Sequence, residues 1–580
     1  MLRKRYLRAI ISGALLVCSS LNAETYRIDT QEAFETFKEF EFHPGDTILF
    51  RSGETFVGQF KPKGSGNSVY PIIVDRYGPD TAKPEIDGNG LSTEGVDIPG
   101  VFELSDVEYW EVNNISVTNG WPELTRSQGI RIANHRDTLL QHMYIRNCRV
   151  HHIVSGGDPS HEKPDKRLGG IAVSCNWDLD PVAPNRQARY RDVRIEYNEL
   201  VYPGRAGIMI RGGNSPEGYF GTTEYLGENI VVRGNYVAYP AGDGICMVRV
   251  KNSLVEYNTC HDAGYPDYPN EAPTTLYSAS IWGGWPQVNV VYQYNHVYNH
   301  HRDRGDATAF DIDHYSTDVV YQYNYSHDNH GGMMLLMQGH QRGRNVVRYN
   351  ISLDQDAATN LNTGYKGEDD TPIMVYNNLY VRESKNMRVG GGYLYNNIFY
   401  APEGEVDIVA RYEHDHNCYY VQANAPEEPN GVYEDPLFAG SVPNQPPMHL
   451  DSLISFLLSE NSPCIDKGYT IAEPGSRDYF GNPLHTNAPD IGVHEYFDDI
   501  TETWALSQKG GTKRRPREAA TILPQLRRTF ATSSGVLYDL QGRRLPSLSD
   551  RGDNRNRGKW WFLDKIMASA VRIRDGRKTE

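Results

Sequence analysis

The sequence predicts an all-β solenoid, a chain wound into stacked coils, and three observations carry that expectation. A short motif of alternating apolar and polar residues around an Asn recurs ten times between Glu111 and Tyr400. The composition is rich in Gly (54) and Tyr (39), which suits strand and turn and does not suit a helical bundle. The 580 residues suffice for one elongated repeat domain, and Asn spacings of 19 to 51 fit short coils with loops inserted on one side.

Taken in order, Met1–Ala23 reads as a secretory signal. Arg3, Lys4, Arg5 and Arg8 form the basic start, Ala9–Val17 the apolar run, and Ala23 a small residue at the cut. The run is too short to span a membrane, and no later stretch is long and apolar enough to do so. A secreted protein, in the periplasm, at the cell surface or outside the cell, is therefore expected. The remaining cysteines (Cys148, Cys175, Cys246, Cys260, Cys418 and Cys464) have no close pairs, so neither a disulfide framework nor a zinc site is expected. The net charge of −16 argues against nucleic acid as the main partner.

Thr30–Phe40 places Ala33, Phe34 and Phe37 on one helical face, with Asp29 or Thr30 available as N-cap. Strands are expected at Thr47–Phe50 and Pro71–Asp75. A helix here would cover the first edge of the stack, which an open repeat fold needs. The rungs then run from EVNNISV at Glu111–Val117 to LYNNIFY at Leu394–Tyr400. Their equivalent Asn residues are Asn114, Asn147, Asn198, Asn235, Asn258, Asn295, Asn324, Asn350, Asn378 and Asn397. Asn at a fixed turn tolerates the left-handed conformation, and stacked amides bond to the rungs above and below.

These rungs resemble the right-handed parallel β-helix superfamily of secreted, polysaccharide-acting proteins. PGDTILFRSGETFVG at Pro44–Gly58 and KPEIDGNG at Lys83–Gly90 look like the first coils of such proteins. DPLF at Asp435–Phe438, SPCIDKG at Ser462–Gly468 and NAPDIGVHEY at Asn487–Tyr496 look like their closing coil. The resemblance spans Tyr26–Tyr496 and implies a β-helix over residues 24–497 between the signal at 1–23 and a tail at 498–580. The tail, with SSGVLYDLQGRRL and VRIRDGRK, resembles C-terminal secretion and anchoring modules of exported Bacteroidetes proteins. It reads equally as a partly disordered extension.

The stretch GDATAFDIDHY at Gly305–Tyr315 carries the chemistry. Phe310 and Ile312 alternate with Asp311 and Asp313, so the two carboxyl groups share the outward face. Aligning coils puts Met209, Cys246, Trp282 and Met334 in the column of Asp311, and Arg211, Val248, Gly284 and Leu336 in that of Asp313. Carboxyl groups among such apolar neighbours are expected to have raised pKa values, as a general acid needs. Residues i and i+2 on one strand face lie about 7 Å apart. That is within the roughly 6.5–9.5 Å window of inverting glycoside hydrolysis. Asp306, Asp243 (in a GDG turn) and His327 are second choices for catalysis. Trp282, Trp285, Arg211, His261, His314 and Arg302 are candidates for holding substrate, joined by Tyr265, Tyr268 and Tyr277. The alternatives are a solvated wall paired with Arg302 or Arg304, and histidines that only stabilise turns. Asp303, Asp306, Asp311 and Asp313 have oxygens for Ca²⁺ but no loop of known ligand spacing, so no cofactor is expected.

The resemblance and the acidic strand together imply a monomeric secreted glycoside hydrolase acting on a polysaccharide or oligosaccharide through Asp311 and Asp313. Fucosidase- and galactosidase-type hydrolases of this fold come first to mind on fold and acidic site. A polysaccharide lyase acting on a uronate is the second expectation, with Lys251, Arg249, Arg302 and His314 available. A non-catalytic carbohydrate-binding surface protein is the third.

Overall fold

Alternation along each rung sends every second side chain inward, and rungs wound in one sense must pair in parallel. The computed structural model describes residues 23–497 apart from 96, 121–124, 154–166, 176–186, 215–222, 265–277, 302–305, 338, 354–356, 363–369, 383–386, 391, 409–412 and 485–487. Residues 1–22 of the expected signal, the expected tail, Tyr265, Tyr268, Tyr277, Arg302, Asp303 and Arg304 lie outside the described residues. Those described belong to one compact unit, Met1–Ala519.

The chain winds as a right-handed parallel β-helix. Each coil adds strands to three sheets. Leu139–Arg146, Arg189–Glu196 and Gly227–Arg233 belong to the first. Arg149–Ile153, Glu199–Val201 and Tyr236–Ala238 belong to the second. Gly169–Cys175, Ala206–Arg211 and Thr308–Ile312 belong to the third. Two strands, Asp243–Glu256 and Ala279–Gln293, run without a break from the third sheet into the first. The inward columns meet in one core, with Ile195, Leu200, Ile208, Ile245, Ile281 and Phe310 fully buried. Each such side chain contributes about 1.5–3 kcal/mol by leaving water.

The N-terminal helix is Gln31–Phe37, shorter than expected, and Thr30 Oγ1 caps it by accepting the Ala33 N–H at 3.2 Å. Phe34 packs on Phe56 and Phe60, at 5.8 and 5.7 Å between ring centroids, which closes the first coil.

The Asn repeat is a continuous buried ladder, but one that begins later than the sequence suggests. From Asn198 the ladder runs through Asn235, Asn258, Asn295, Asn324, Asn350, Asn378 and Asn397 to Asn417. The side-chain oxygen of Asn198 accepts the backbone N–H of Cys148, and that of each later Asn accepts two bonds, from the backbone N–H and the amide of the Asn one coil before. These Asn are not the left-handed residues. The residue before each one turns the chain, as Tyr197 (φ 58°), Tyr257 (φ 56°) and Tyr294 (φ 55°) do. Asn114 (φ 59°) and Asn147 (φ 53°) are the left-handed residues of their own coils, one place ahead of the ladder. Ile115 and Cys148 take the ladder position there. Left-handed tyrosine is strained, and stacking offsets it: the rings of Tyr257 and Tyr294 lie 5.0 Å apart and 4° from parallel.

The C-terminal stretch also differs from the closing coil expected. The described residues of 435–496 add no rung. They fold back over the outer face of the second sheet, where Leu453, Phe456, Leu458, Ile491 and Val493 bury Ile351, Leu353 and Leu379. Tyr323 donates to the Arg477 carbonyl at 2.8 Å, and the Asn377 amide donates to Asp490 and Gly492. Prolines at 436, 443, 446, 447, 463, 474, 483 and 489 explain the change, since proline cannot donate to a sheet ladder.

Candidate active site on the third sheet

Strands Ala206–Arg211, Asp243–Glu256, Ala279–Gln293 and Thr308–Ile312 are neighbours, and their registers align the outward side chains in columns. Met209 pairs with Cys246, Cys246 with Trp282, and Trp282 with Asp311. The next neighbour of Asp311 is Leu335 and not Met334, because Phe310 pairs with Met334. The turn through Gly331 and Gly332 takes up one more residue than the sequence alignment allowed. Met209, Cys246, Val248 and Trp282 form an apolar cluster separate from the interior, and Trp285 packs on it.

Asp311 is 7% exposed, between the Trp282 and Leu335 columns, and Tyr321 donates its hydroxyl to the Asp311 carbonyl at 2.7 Å. Asp313, 8% exposed, is held differently. Its Oδ2 accepts the indole N–H of Trp285 at 2.6 Å, and its Oδ1 accepts the backbone N–H of His314 at 2.7 Å. The His314 imidazole stands edge-on to the Trp285 indole, 5.2 Å between centroids, with Nε2 3.9 Å from Asp313 Oδ1. Gly284 admits the Asp313 side chain, and Gly339 leaves the space that the His314 ring occupies. Ser316 Oγ and the Gln341 amide donate to the Asp313 carbonyl at 2.7 and 3.0 Å. The structure thus brings Asp311, Asp313, Trp282, Trp285 and His314 together on one outward wall.

The other candidates lie elsewhere. Asp243 is fully buried, with Arg205 Nη1 donating to its Oδ2 at 2.6 Å and the Ala279 N–H to its Oδ1 at 3.3 Å. Asp306 precedes the acidic strand, at the turn where Gly331 donates to the Ala307 carbonyl. Arg211 shares the column of Asp313 at three coils' remove, through Val248 and Gly284, or about 14 Å by strand spacing. His261 and His327 sit on the outer face of the second sheet, each stacked on Tyr298, at 4.7 and 4.9 Å. His261 Nδ1 bonds Asp262 at 2.5 Å, and His327 Nδ1 bonds Asp328 at 2.7 Å. Between the two sheets, burial pushes His300 down to about 3, and it bonds Ser278 and Ser280.

Sequence reading missed the hydrogen bond from Trp285 to Asp313 and the two glycines that make room for it. The GGW triplet at Gly283–Trp285 was the available signal. Of the residues expected of a lyase, Lys251 pairs with Glu228 at 3.3 Å, and Arg249 donates to the Asn214 and Glu224 carbonyls. Among the described residues, no group of three or more His, Cys, Asp or Glu is placed to hold a metal ion.

No protein-family model matches the chain, and no curated protein matches it. Among solved structures, the fold is similar to that of a GH136 lacto-N-biosidase from Eubacterium ramulus. The identity is 22%, the match covers 69% of this chain and 68% of that one, and the TM-score is 0.50. An alginate lyase from Paenibacillus sp. str. FPU-7 is a looser match, at 15% identity over 60% of this chain and 99% of that one, TM-score 0.38. Pectate lyase Pel9A matches at 13% identity over 82% and 96%, TM-score 0.36. The first similarity bears on the fold, and the other two are too loose to bear on the site.

Proposed function

We propose that this chain is an exported glycoside hydrolase that cleaves a complex glycan on the outer wall of its third sheet, with Asp311 and Asp313 as the reacting pair. The observation that carries the reading is the placement of two nine-tenths-buried carboxyl groups on one outward wall. Asp311 stands in register between Trp282 and Leu335. Both oxygens of Asp313 accept hydrogen bonds from N–H donors. In the reaction, the carboxyl group gives its proton to the glycosidic oxygen as the bond from that oxygen to the anomeric carbon breaks. The carboxylate takes a proton from the water whose oxygen bonds to that carbon. The roughly 7 Å reach between neighbouring outward positions leaves room for that water. Trp282, 4% exposed, lines the wall as part of its apolar cluster.

The fold shared with a lacto-N-biosidase makes p-nitrophenyl β-lacto-N-bioside the first substrate to try, beside a panel of purified plant and host polysaccharides. A new reducing end released by the wild type, and lost in both Asp311→Asn and Asp313→Asn, is the expected result. Full turnover by either single variant would sink the pair. A product absorbing in the ultraviolet would replace hydrolysis by elimination.

A further inference from the structure

Trp285 does not present itself as a simple sugar platform. Its backbone is left-handed (φ 63°), an unfavourable state for a bulky residue, and its N–H is tied to the His314 carbonyl at 2.9 Å. The side chain packs against the apolar cluster that contains Trp282, and its Nε1 lies 2.6 Å from Asp313 Oδ2. Left-handed turn residues recur along the coils, so the backbone alone does not mark a site; the direction it gives the indole does. His314 supplies the second donor from the backbone at 2.7 Å and braces the indole with its ring.

We infer that Trp285 is a positioning residue that holds Asp313 as a fixed carboxylate, so that Asp313 is the base of the pair and Asp311 the acid. The inference rests on the hydrolase reading for its catalytic meaning, but the hydrogen bond itself does not. A ring N–H donating to a carboxylate is a charge-assisted bond, about twice as strong as a neutral one. It fixes the oxygen's direction without supplying a proton, because an indole does not ionise in the working range. An oxygen held this way has its free lone pairs directed away from Trp285. Asp311, two residues earlier on the same face, keeps the task of protonating the leaving oxygen.

The test uses the full-length wild type, labelled with ¹⁵N at its tryptophan indoles, without substrate. The Trp285 Nε1–H resonance, identified by its loss in Trp285→Phe, is expected among the most downfield of the eight indoles. It should move upfield in Asp313→Asn, where a neutral amide replaces the carboxylate. If Trp285→Phe does not fold, the resonance that moves in Asp313→Asn and stays in Asp311→Asn identifies the pair. An indole at the position of solvent-exposed tryptophan, unmoved by Asp313→Asn, overturns the inference. On p-nitrophenyl β-lacto-N-bioside, or whichever panel polysaccharide is cleaved, Trp285→Phe should lower kcat about tenfold to a hundredfold with KM little changed. A rise in KM at constant kcat would make Trp285 a binding platform instead. Should no substrate be cleaved, the resonance still decides the bond, and only the hydrolase reading falls.

Discussion

Asn417 ends the amide ladder on Glu428: its backbone N–H donates to Glu428 Oε2 and its side-chain amide to Oε1, both at 2.9 Å. A carboxyl group thus stands where the next coil would have supplied an asparagine, and Tyr419 and His414 complete its partners at 2.6 and 2.9 Å. A ladder of one-directional bonds must end on an acceptor, and the last rung has found one outside the helix.

Removing a rung should therefore cost more than its own bonds. In Asn295→Ala the backbone N–H and amide of Asn258 lose their acceptor, and both are buried. Stranded buried donors cost about 1–3 kcal/mol each. Urea denaturation should show Asn295→Ala destabilised by about 3 kcal/mol. Asn114→Gly, at a left-handed position outside the ladder, should lose far less. Equal losses would mean that the ladder is not what holds the stack.

The Arg205–Asp243 pair gives a second test. Neither side chain is more than 2% exposed, so removing one takes a buried ion-pair partner from the other, a loss of about 3–5 kcal/mol. Asp243→Leu and Arg205→Met should each fall that far, while the double variant should recover most of the loss. Asp243 would then act in the fold and not in the reaction. A stable Asp243→Leu protein without turnover would return it to the active site.

The fold was legible in the sequence because its signal is repeated: a period-two pattern around Asn gives itself away over ten rungs. The ladder's first members were misplaced because Asn serves both as left-handed residue and as ladder residue, and the letters at Asn114 and Asn147 do not say which. Asp311 and Asp313 were legible for the same periodic reason. The hold on Asp313 was not, since it depends on a tryptophan 28 residues earlier in a left-handed turn. Asp243 and His327 lie at the same level in a linear alignment, yet His327 is on the second sheet, and Asp243, on the third, is fully buried against Arg205.

Far from the acidic wall, His135 lies between Asp106 and Asp97, with ring nitrogens 3.4 and 3.8 Å from their oxygens. The carboxyl groups of Asp106 and then Asp97 beside the ring raise it from 6.5 to about 9. A raised histidine stabilises the fold fully below its unfolded value and loses that contribution as pH rises through the folded one. The wild type should therefore lose stability between about pH 6.5 and about pH 9. In His135→Gln that slope should flatten, as read from thermal melts across the range. A slope unchanged by the substitution would assign it to other groups.

His261 and His327 are packed as structural members of an aromatic stack, so their variants should separate stability from chemistry. In His327→Gln the bonds to Asp328 and His296 and the stack on Tyr298 are disturbed. A loss of about 1–3 kcal/mol in denaturation, with kcat on the cleaved substrate within a few-fold of wild type, is expected. A collapse of kcat in a protein of normal stability would move the reaction to the second sheet.

Gly284 lies directly against Asp313. A Cβ there would stand 2.8 Å from Asp313 Cβ and 3.1 Å from the His314 carbonyl, so the Asp313 strand would have to give way. Displacement of that strand carries Asp313 away from Trp285 and changes its distance to Asp311, and misplacement by about 1 Å can cost on the order of a hundredfold in rate. Gly284→Ala should lower kcat by that order, with a crowding cost of about 1–3 kcal/mol in stability. Gly95→Ala is the control: a Cβ there meets only Thr93 Oγ1 at 3.3 Å, and stability should change by less than about 0.5 kcal/mol. Because Asp311 lies on the same strand and is displaced with it, the decisive comparison is with Trp285→Phe, which leaves the strand in place. If Gly284→Ala retains wild-type kcat, the position of Asp313 does not limit the reaction, and the carboxylate would have to be sought at Asp306.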